Sequence, residues 1–179
     1  KENNTIKKAY AIAVRMKTSW TIPMIILLVS TNLVIFDKTV YRNNMPNHET
    51  YTEETNNLIS FFKGGTLNTT PFSEQEQGHL HDVRIKIWLS LILLLTLSIY
   101  TTYNRNQKEL LRGSILTLGL LTLLSLTLLS FTTSFTWFHK LLFTNNDWLL
   151  PAESTLIRMF PEQFFVETAK EIFLYSPQG

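Results

Sequence analysis

Apolar positions in this chain are concentrated in three runs, and most charged positions lie between those runs. The first run, Trp20–Phe36, has no charged residue over 17 positions, and the third, Ile115–Phe138, has none over 24. The second, Ile87–Tyr100, is shorter and reaches full length when Arg84 and Lys86 extend their charged ends to the membrane surface. Because about 20 apolar helical residues cross a hydrocarbon core of about 30 Å, the pattern predicts three transmembrane helices.

Lysine and arginine residues predict the direction in which these helices cross the membrane. Positive residues in short connections stay on the cytoplasmic side. They occur before the first span and between the second and third spans, as Lys1, Lys7, Lys8, Arg15, Lys17, Arg105, Lys108 and Arg112. We therefore expect a cytoplasmic N-terminus, with the segment after the first span and the segment after the third span both on the extracytoplasmic face.

The predicted fold is an all-α membrane protein with three transmembrane helices, whose two outer-face segments form a small interfacial domain. After Phe165 the sequence VETAKEIFLYSPQG is interrupted by Lys170 and Glu171. We expect a short amphipathic or peripheral helix there and no fourth span. The predicted order is a cytoplasmic segment (1–19), the first span (20–36), an extracytoplasmic segment (37–84), the second span (85–102), a cytoplasmic loop (103–113), the third span (114–138) and a second extracytoplasmic segment (139–179).

The composition excludes several kinds of site. The chain has no cysteine, which excludes disulfides, cysteine nucleophiles and thiolate metal ligands. Its net charge of +2 is too small to indicate a nucleic-acid partner. The membrane prediction rests on the clustering of apolar residues, since a hydrophobic content of 45% is ordinary for a globular protein.

Two helices are predicted in the first outer segment. Positions 50–65, TYTEETNNLISFFKGG, start with Thr and Glu at capping-box spacing and end at two glycines. Positions 73–88, SEQEQGHLHDVRIKIW, begin with Ser73 and Glu76 at the same spacing. We expect the second of these helices to continue directly into the second span.

Histidines on both outer segments are the candidates for chemistry. His79 lies about two turns before the second span and His139 at the outer end of the third, so we expect both at similar depth. Histidine titrates near neutral pH, which suits general acid–base catalysis. The alternative is a solvated ring or one bonded to a carbonyl, which we favour for His48 and His81. A metal site using His79 and His81 needs a strand, since residues two apart do not share a helical face.

The stretch FHKLLFTNNDWLLPAESTLIRMFPEQFF, positions 138–165, begins where the third span ends, yet it is rich in polar groups. We expect its polar side chains to face inward, and Arg158 to have a carboxylate partner because charges at that depth are costly unless paired. Four aromatic residues are predicted to form interface belts: Trp88, Trp137, Phe138 and Trp148.

The same stretch resembles the most characteristic part of the bacterial lipoprotein intramolecular transacylase family. TEETNNLISFFKGG followed by FSEQEQGHLHDV resembles the family's outer segment in the same order, and the resemblance covers roughly Tyr10 to Glu167. It implies an integral protein of the bacterial cell membrane, acting on membrane lipid and diacylglyceryl lipoproteins. Relatives usually continue into a fourth span, which we do not expect here.

The resemblance also implies an activity and a set of site residues. Family enzymes move the sn-2 acyl chain of a diacylglyceryl-cysteine lipoprotein to the cysteine α-amino group, giving a lyso-form lipoprotein, with no cofactor or metal. The matching catalytic residues are His79, as general base, and His139, as hydrogen-bond donor. The orienting or pocket residues would be Asp82, Asn145, Trp148, Arg158 and Glu162. Two alternatives remain: a non-catalytic membrane protein that binds lipid or lipoprotein, and a structural partner in a larger membrane complex.

Overall fold

All regular structure in the described part of the chain is helical. A computed structural model describes residues 18–104 and 106–174, without the side chains of Leu128 and of residues 171–174. Most of the predicted cytoplasmic segment, 1–19, lies outside the described residues. The predicted all-α fold class is confirmed. The helices are α1 (Thr18–Phe36), α2 (Lys38–Asn44), α3 (Thr52–Phe62), α4 (Glu74–Tyr103), α5 (Gln107–Thr127), α6 (Phe131–Leu142), α7 (Thr155–Met159) and α8 (Glu162–Leu174).

Three of the described helices, α1, α4 and α5, are long and apolar enough to cross a membrane. Helix α1 packs against both α4 and α5. Polar side chains connect α1 to α4 at two depths, because Asn32 Nδ2 donates to Ser90 Oγ over 3.0 Å and the hydroxyls of Thr21 and Thr101 are 2.6 Å apart. Such contacts satisfy polar groups that have no water available within a bilayer.

The third predicted span is interrupted, whereas the sequence predicts one continuous helix. Helix α5 ends at Thr127, a single 3₁₀ turn covers Leu128–Ser130, and α6 then begins. Hydroxyl groups around the break bond to nearby backbone: Thr127 Oγ1 donates to the Leu124 carbonyl over 2.6 Å and Ser134 Oγ to the Thr127 carbonyl over 3.1 Å. Serine and threonine bonds of this kind bend helices.

One hydrophobic core is shared by the two outer segments. Phe61 from α3 and Met159 from α7 are its most buried large side chains, at 1% and 0% exposure. The start of α4 and both α2 and α8 complete the core, through Leu80, Tyr41 and Phe164. This common core fixes the second outer segment against the first.

Local capping was predicted correctly at one helix and wrongly at another. Ser73 and Glu76 form the predicted capping box at the start of α4. Helix α3 has Tyr51 at its N-cap and no side-chain capping bond. Thr50, the threonine at the predicted capping spacing, lies before this N-cap, and its amide donates to the Asn47 carbonyl over 2.9 Å in the preceding turn.

Helix α2 follows α1 after a single residue and was not predicted. Asp37 caps it, because its Oδ1 accepts a hydrogen bond from the Thr39 amide over 2.8 Å. At the other end of the described chain, α8 has 13 residues and a length of about 20 Å, shorter than a membrane span. It packs against α2 and α6, so the first and last described outer helices are neighbours.

Candidate active site

Two histidine rings from different helices lie close together where residues 37–84 and 139–170 pack against each other. His79 lies in the second turn of α4, before that helix's apolar part, and His139 lies near the end of α6. Their ring centroids are 6.1 Å apart. The ring of Phe143 packs against both, at 5.1 Å from His79 and 5.6 Å from His139. The site therefore combines groups from both outer segments.

His139 is held in one tautomer by its own helix. The ring is buried, at 8% exposure, and its Nδ1 lies 2.8 Å from the carbonyl oxygen of Phe135. A carbonyl only accepts hydrogen bonds, so Nδ1 carries the proton. In the neutral ring Nε2 then has a free lone pair. Burial lowers the pKa of His139 and the hydrogen bond to Phe135 partly offsets that effect, so the neutral ring predominates at neutral pH.

His79 is half-buried, and its Nδ1 is enclosed without a hydrogen-bond partner among the described residues. Burial is the main reason why the pKa of His79 falls from 6.5 to about 4, and the nearby His139 lowers it further. The carboxylates of Asp82 and Asp147 act in the opposite direction. His79 is therefore an uncharged imidazole at neutral pH.

Three of the five predicted pocket residues lie around the histidine pair. Asp82, one turn after His79, accepts a hydrogen bond from Asn145 Nδ2 over 2.6 Å. Trp148 packs on the ring of His139 with centroids 5.1 Å apart, and its Nε1 donates to the Asn145 carbonyl over 3.1 Å. Trp148 thus lies directly against the histidine pair, the region for which it was predicted as a pocket residue in addition to its interface-belt role.

The other two predicted pocket residues have their contacts elsewhere. Arg158 is exposed, and its hydrogen bond goes to Thr155 Oγ1 over 3.5 Å. The carboxylate partner expected for Arg158 is absent among the described residues, because α7 turns this side chain outward. Glu162 accepts from Thr132 Oγ1 over 3.2 Å, about two helical turns along α6 from His139.

His81, the other histidine of α4, lies on a different face of that helix from His79. His81 is exposed and its ring meets the edge of Phe61 at 5.1 Å. No set of three or more histidine, aspartate or glutamate side chains in the described ranges could hold a metal ion together. His79 and His81 do not converge on one point, as expected for positions two apart on a helix.

Sequence reasoning missed the residues that hold residues 145–149, here called the site loop, against α4. Gln75 Nε2 lies 3.0 Å from the Leu149 carbonyl, 3.4 Å from that of Asp147 and 3.5 Å from that of Asn146. A glutamine four residues before a histidine on the same helical face is the only available signal, and it is a weak one.

Glu76, the residue after Gln75, joins the two outer segments through a buried carboxylate. It is 3% exposed, and its Oε1 accepts from the Leu156 amide over 2.8 Å. Its Oε2 accepts from the Ser73 amide over 2.8 Å, which completes the capping box. Thr155 Oγ1 adds a bond to the Pro71 carbonyl over 2.7 Å. The sequence predicted the capping half of this role, but not the bond to a residue 80 positions away.

Comparison with known proteins identifies the family. A family profile described as lipoprotein intramolecular transacylase Lit matches residues 16–165. A solved structure of the membrane-integral lipoprotein intramolecular transacylase Lit from Bacillus cereus is 28% identical, with a TM-score of 0.68, and covers 88% of this chain and 85% of that one.

Two further structures of the Bacillus cereus protein carry a histidine replaced by arginine or by alanine. They are 26% and 25% identical, with TM-scores of 0.65 and 0.64, and each covers 97% of this chain. They cover 88% and 90% of the other chain. A search of the curated proteins found no match. This chain is a membrane-integral member of the lipoprotein intramolecular transacylase family, an acyltransferase family.

Proposed function

We propose that this chain moves the sn-2 acyl group of a diacylglyceryl-cysteine lipoprotein to the α-amino group of the same cysteine. The amine nitrogen bonds to the ester carbonyl carbon, and the bond from that carbon to the glyceryl oxygen then breaks. Of the two protons lost between ammonium and amide, one leaves to water and one ends on the glyceryl oxygen. Donor and acceptor belong to one molecule, so a site that holds them together gains about 7–11 kcal/mol.

We assign the proton transfer to His139. The hydrogen bond from Nδ1 to Phe135 leaves Nε2 as an acceptor, which suits removal of a proton from the amine. The protonated ring can return that proton from Nε2 to the departing glyceryl oxygen. This reverses the roles expected from the sequence, where His79 was the general base and His139 the donor.

We assign His79 to the developing oxyanion. Its lowered pKa keeps the imidazole neutral, and a neutral imidazole donates one N–H bond. A buried donor aimed at an oxyanion is typically worth about 2.7–4 kcal/mol of the activation barrier. The ring of His79 lies beside that of His139, with centroids 6.1 Å apart, which would let both rings act on one substrate ester.

The decisive experiment is mass spectrometry of the N-terminal peptide from a reporter lipoprotein, in cells that lack other N-acylation. Expression of this chain should move one acyl group from glycerol to nitrogen at unchanged total mass. His79→Asn and His139→Asn should each lower turnover about 100-fold or more. His81→Asn is the matched control, since His81 lies two residues away on an exposed face. Unchanged turnover in both pair variants would overturn the roles given to the two histidines. An unchanged diacylglyceryl peptide with the wild type would favour a non-catalytic lipid- or lipoprotein-binding role.

We further propose that the two outer segments face the extracytoplasmic side, as the lysine and arginine distribution predicts. Because the chain has no cysteine, single cysteines can report on this topology without background. Thr66→Cys and Glu153→Cys, both at exposed positions, should react with a membrane-impermeant maleimide in intact spheroplasts. Lys108→Cys should react only after lysis. The opposite pattern would reverse the proposed orientation.

A further inference from the structure

Asp147 is a carboxylate beside His79 that none of the proposed catalytic roles uses. It is half-buried, and its side-chain oxygens accept no hydrogen bond from the described residues. It is close enough to His79 to act on that ring electrostatically. The other nearby carboxylate, Asp82, differs because its Oδ2 already accepts from Asn145 over 2.6 Å. Asp147 is therefore the carboxylate near His79 whose side-chain oxygens accept no hydrogen bond among the described residues.

The backbone around Asp147 is built to hold the carboxylate there. Its amide donates to Asn145 Oδ1 over 3.2 Å, and Gln75 bonds the carbonyls on either side of it. The next residue, Trp148, packs on His139. The site loop thus places an acidic group towards α4 and an aromatic one towards α6.

Gly78 makes room for this carboxylate. A Cβ atom at position 78 would lie 3.0 Å from Asp147 Oδ2 and 3.7 Å from its Cγ, and it would meet no other described residue within 4 Å. Glycine in a helix interior costs about 1 kcal/mol relative to alanine. Gly78 lies inside α4, directly before His79, and the close approach of Asp147 is what alanine would disturb there.

An acyl transfer to an amine presents this pocket with a cation. An α-amino group has a pKa of about 7.7–8.0, so the substrate arrives largely as ammonium. An ammonium group needs acceptors close to the base that will deprotonate it. We propose that Asp147 binds the α-ammonium of the substrate cysteine and holds it beside the histidine pair. This inference rests on the proposed function, and it names the group of that function which recognises the amine.

Neighbouring cations do not neutralise Asp147 among the described residues. Lys86 lies over the ring of Phe143 at 6.0 Å, and Lys140 over the ring of Trp137 at 5.8 Å. The ion pairs of the described chain involve other residues altogether. An incoming ammonium therefore meets no competing ion pair at this carboxylate.

Two unreactive ligands test the inference without requiring turnover. One is a diacylglyceryl-cysteine peptide whose α-nitrogen carries three methyl groups, and the other replaces that nitrogen by carbon as a tert-butyl group. The two have nearly the same shape and differ in charge. Binding to the purified chain in detergent should favour the cationic ligand about tenfold, because only that ligand is attracted to the carboxylate by its charge.

Asp147→Asn should bring the affinity ratio of the two ligands close to one, and Gly78→Ala should reduce it partly by displacing the carboxylate. Glu153→Gln removes an exposed carboxylate from the same outer segment and should retain the wild-type ratio. A tenfold ratio that survives Asp147→Asn, or equal affinities in the wild type, would overturn the inference. Failure of the proposed function has a different signature: the wild type forms no N-acyl product from the reactive substrate, and the inference falls with it.

Discussion

Replacing Glu76 tests whether the two outer segments depend on one buried carboxylate. In Glu76→Ala the amides of Leu156 and Ser73 both lose their acceptor, each at 2.8 Å in the native chain. A buried amide left without a partner costs about 1–3 kcal/mol. The Leu156 bond is buried, while the Ser73 bond is partly exposed and water can replace some of it. The two losses together amount to about 2–4 kcal/mol.

Glu76→Gln has a smaller expected cost. Its amide group keeps one acceptor oxygen, which can serve one of the two backbone amides, but its NH₂ group cannot accept from the other. We expect about 1–2 kcal/mol. Glu74→Ala is the matched control, because Glu74 lies in the same first turn of α4 and is exposed. It loses only the favourable interaction of a carboxylate with the helix N-terminus, about 0.3–1 kcal/mol.

Thermal unfolding in detergent at a fixed scan rate provides the ranking. For a chain of this size 1 kcal/mol corresponds to about 2–4 °C in Tm, so Glu76→Ala should lower Tm by about 4–16 °C. The decrease in Tm should be largest for Glu76→Ala, smaller for Glu76→Gln and smallest for Glu74→Ala. Turnover on the reporter lipoprotein should fall in the same order, because the site loop belongs to the segment that Glu76 anchors. A Tm for Glu76→Ala equal to that of Glu74→Ala would refute the role given to the buried carboxylate.

Two other predictions concern the helix bundle and pH. Gly113→Ala would place a Cβ 2.5 Å from Ile22 Cδ1 and should lower the free energy of unfolding by about 1–3 kcal/mol. Gly119→Ala meets nothing within 4 Å and should leave that free energy unchanged or raise it by up to about 1 kcal/mol, because alanine favours a helix over glycine. The pKa of His79 is about 4 in the folded state and 6.5 in the unfolded state. Between these values the unfolded chain binds the extra proton, so lowering the pH below 6.5 favours unfolding. The Tm of the wild type should therefore fall between pH 6.5 and 4, and that of His79→Asn should fall less.

Local signals in the sequence were sufficient for the spans and for one capping box. The apolar runs are long enough for membrane helices. The capping-box spacing was correct for Ser73 and Glu76, although the same spacing failed at Thr50 and Glu53. The break at Leu128–Ser130 was not predicted, because hydropathy does not show where hydroxyl groups form hydrogen bonds. Thr127 and Ser134 compete for backbone carbonyls without making the segment less apolar. Helix α2 was not predicted, because it begins only one residue after the first span ends.

The site shows a similar division between local and long-range information. Counting helical turns from the membrane was enough to expect His79 and His139 at one depth. The position of Asp147 depends on how the site loop is tied to Gln75, a contact between residues more than 70 positions apart. Arg158 was expected to need a partner on the assumption that it faces inward, and it is exposed. The sequence therefore predicts how far a polar group lies from the membrane more readily than it predicts which way the side chain points.

The two histidines are also fixed by different kinds of contact, which has a mechanistic consequence. The tautomer of His139 depends on Phe135, four residues earlier in the same helix, so it persists when the outer segments separate slightly. The burial that keeps His79 neutral depends on packing between α4 and the second outer segment, including the ring of Phe143. Loosening that packing would hydrate His79 and return its pKa towards 6.5 while the proton acceptor on His139 stays in place. Substitutions that loosen the hydrophobic core shared by the two outer segments should therefore lower turnover first through their effect on His79.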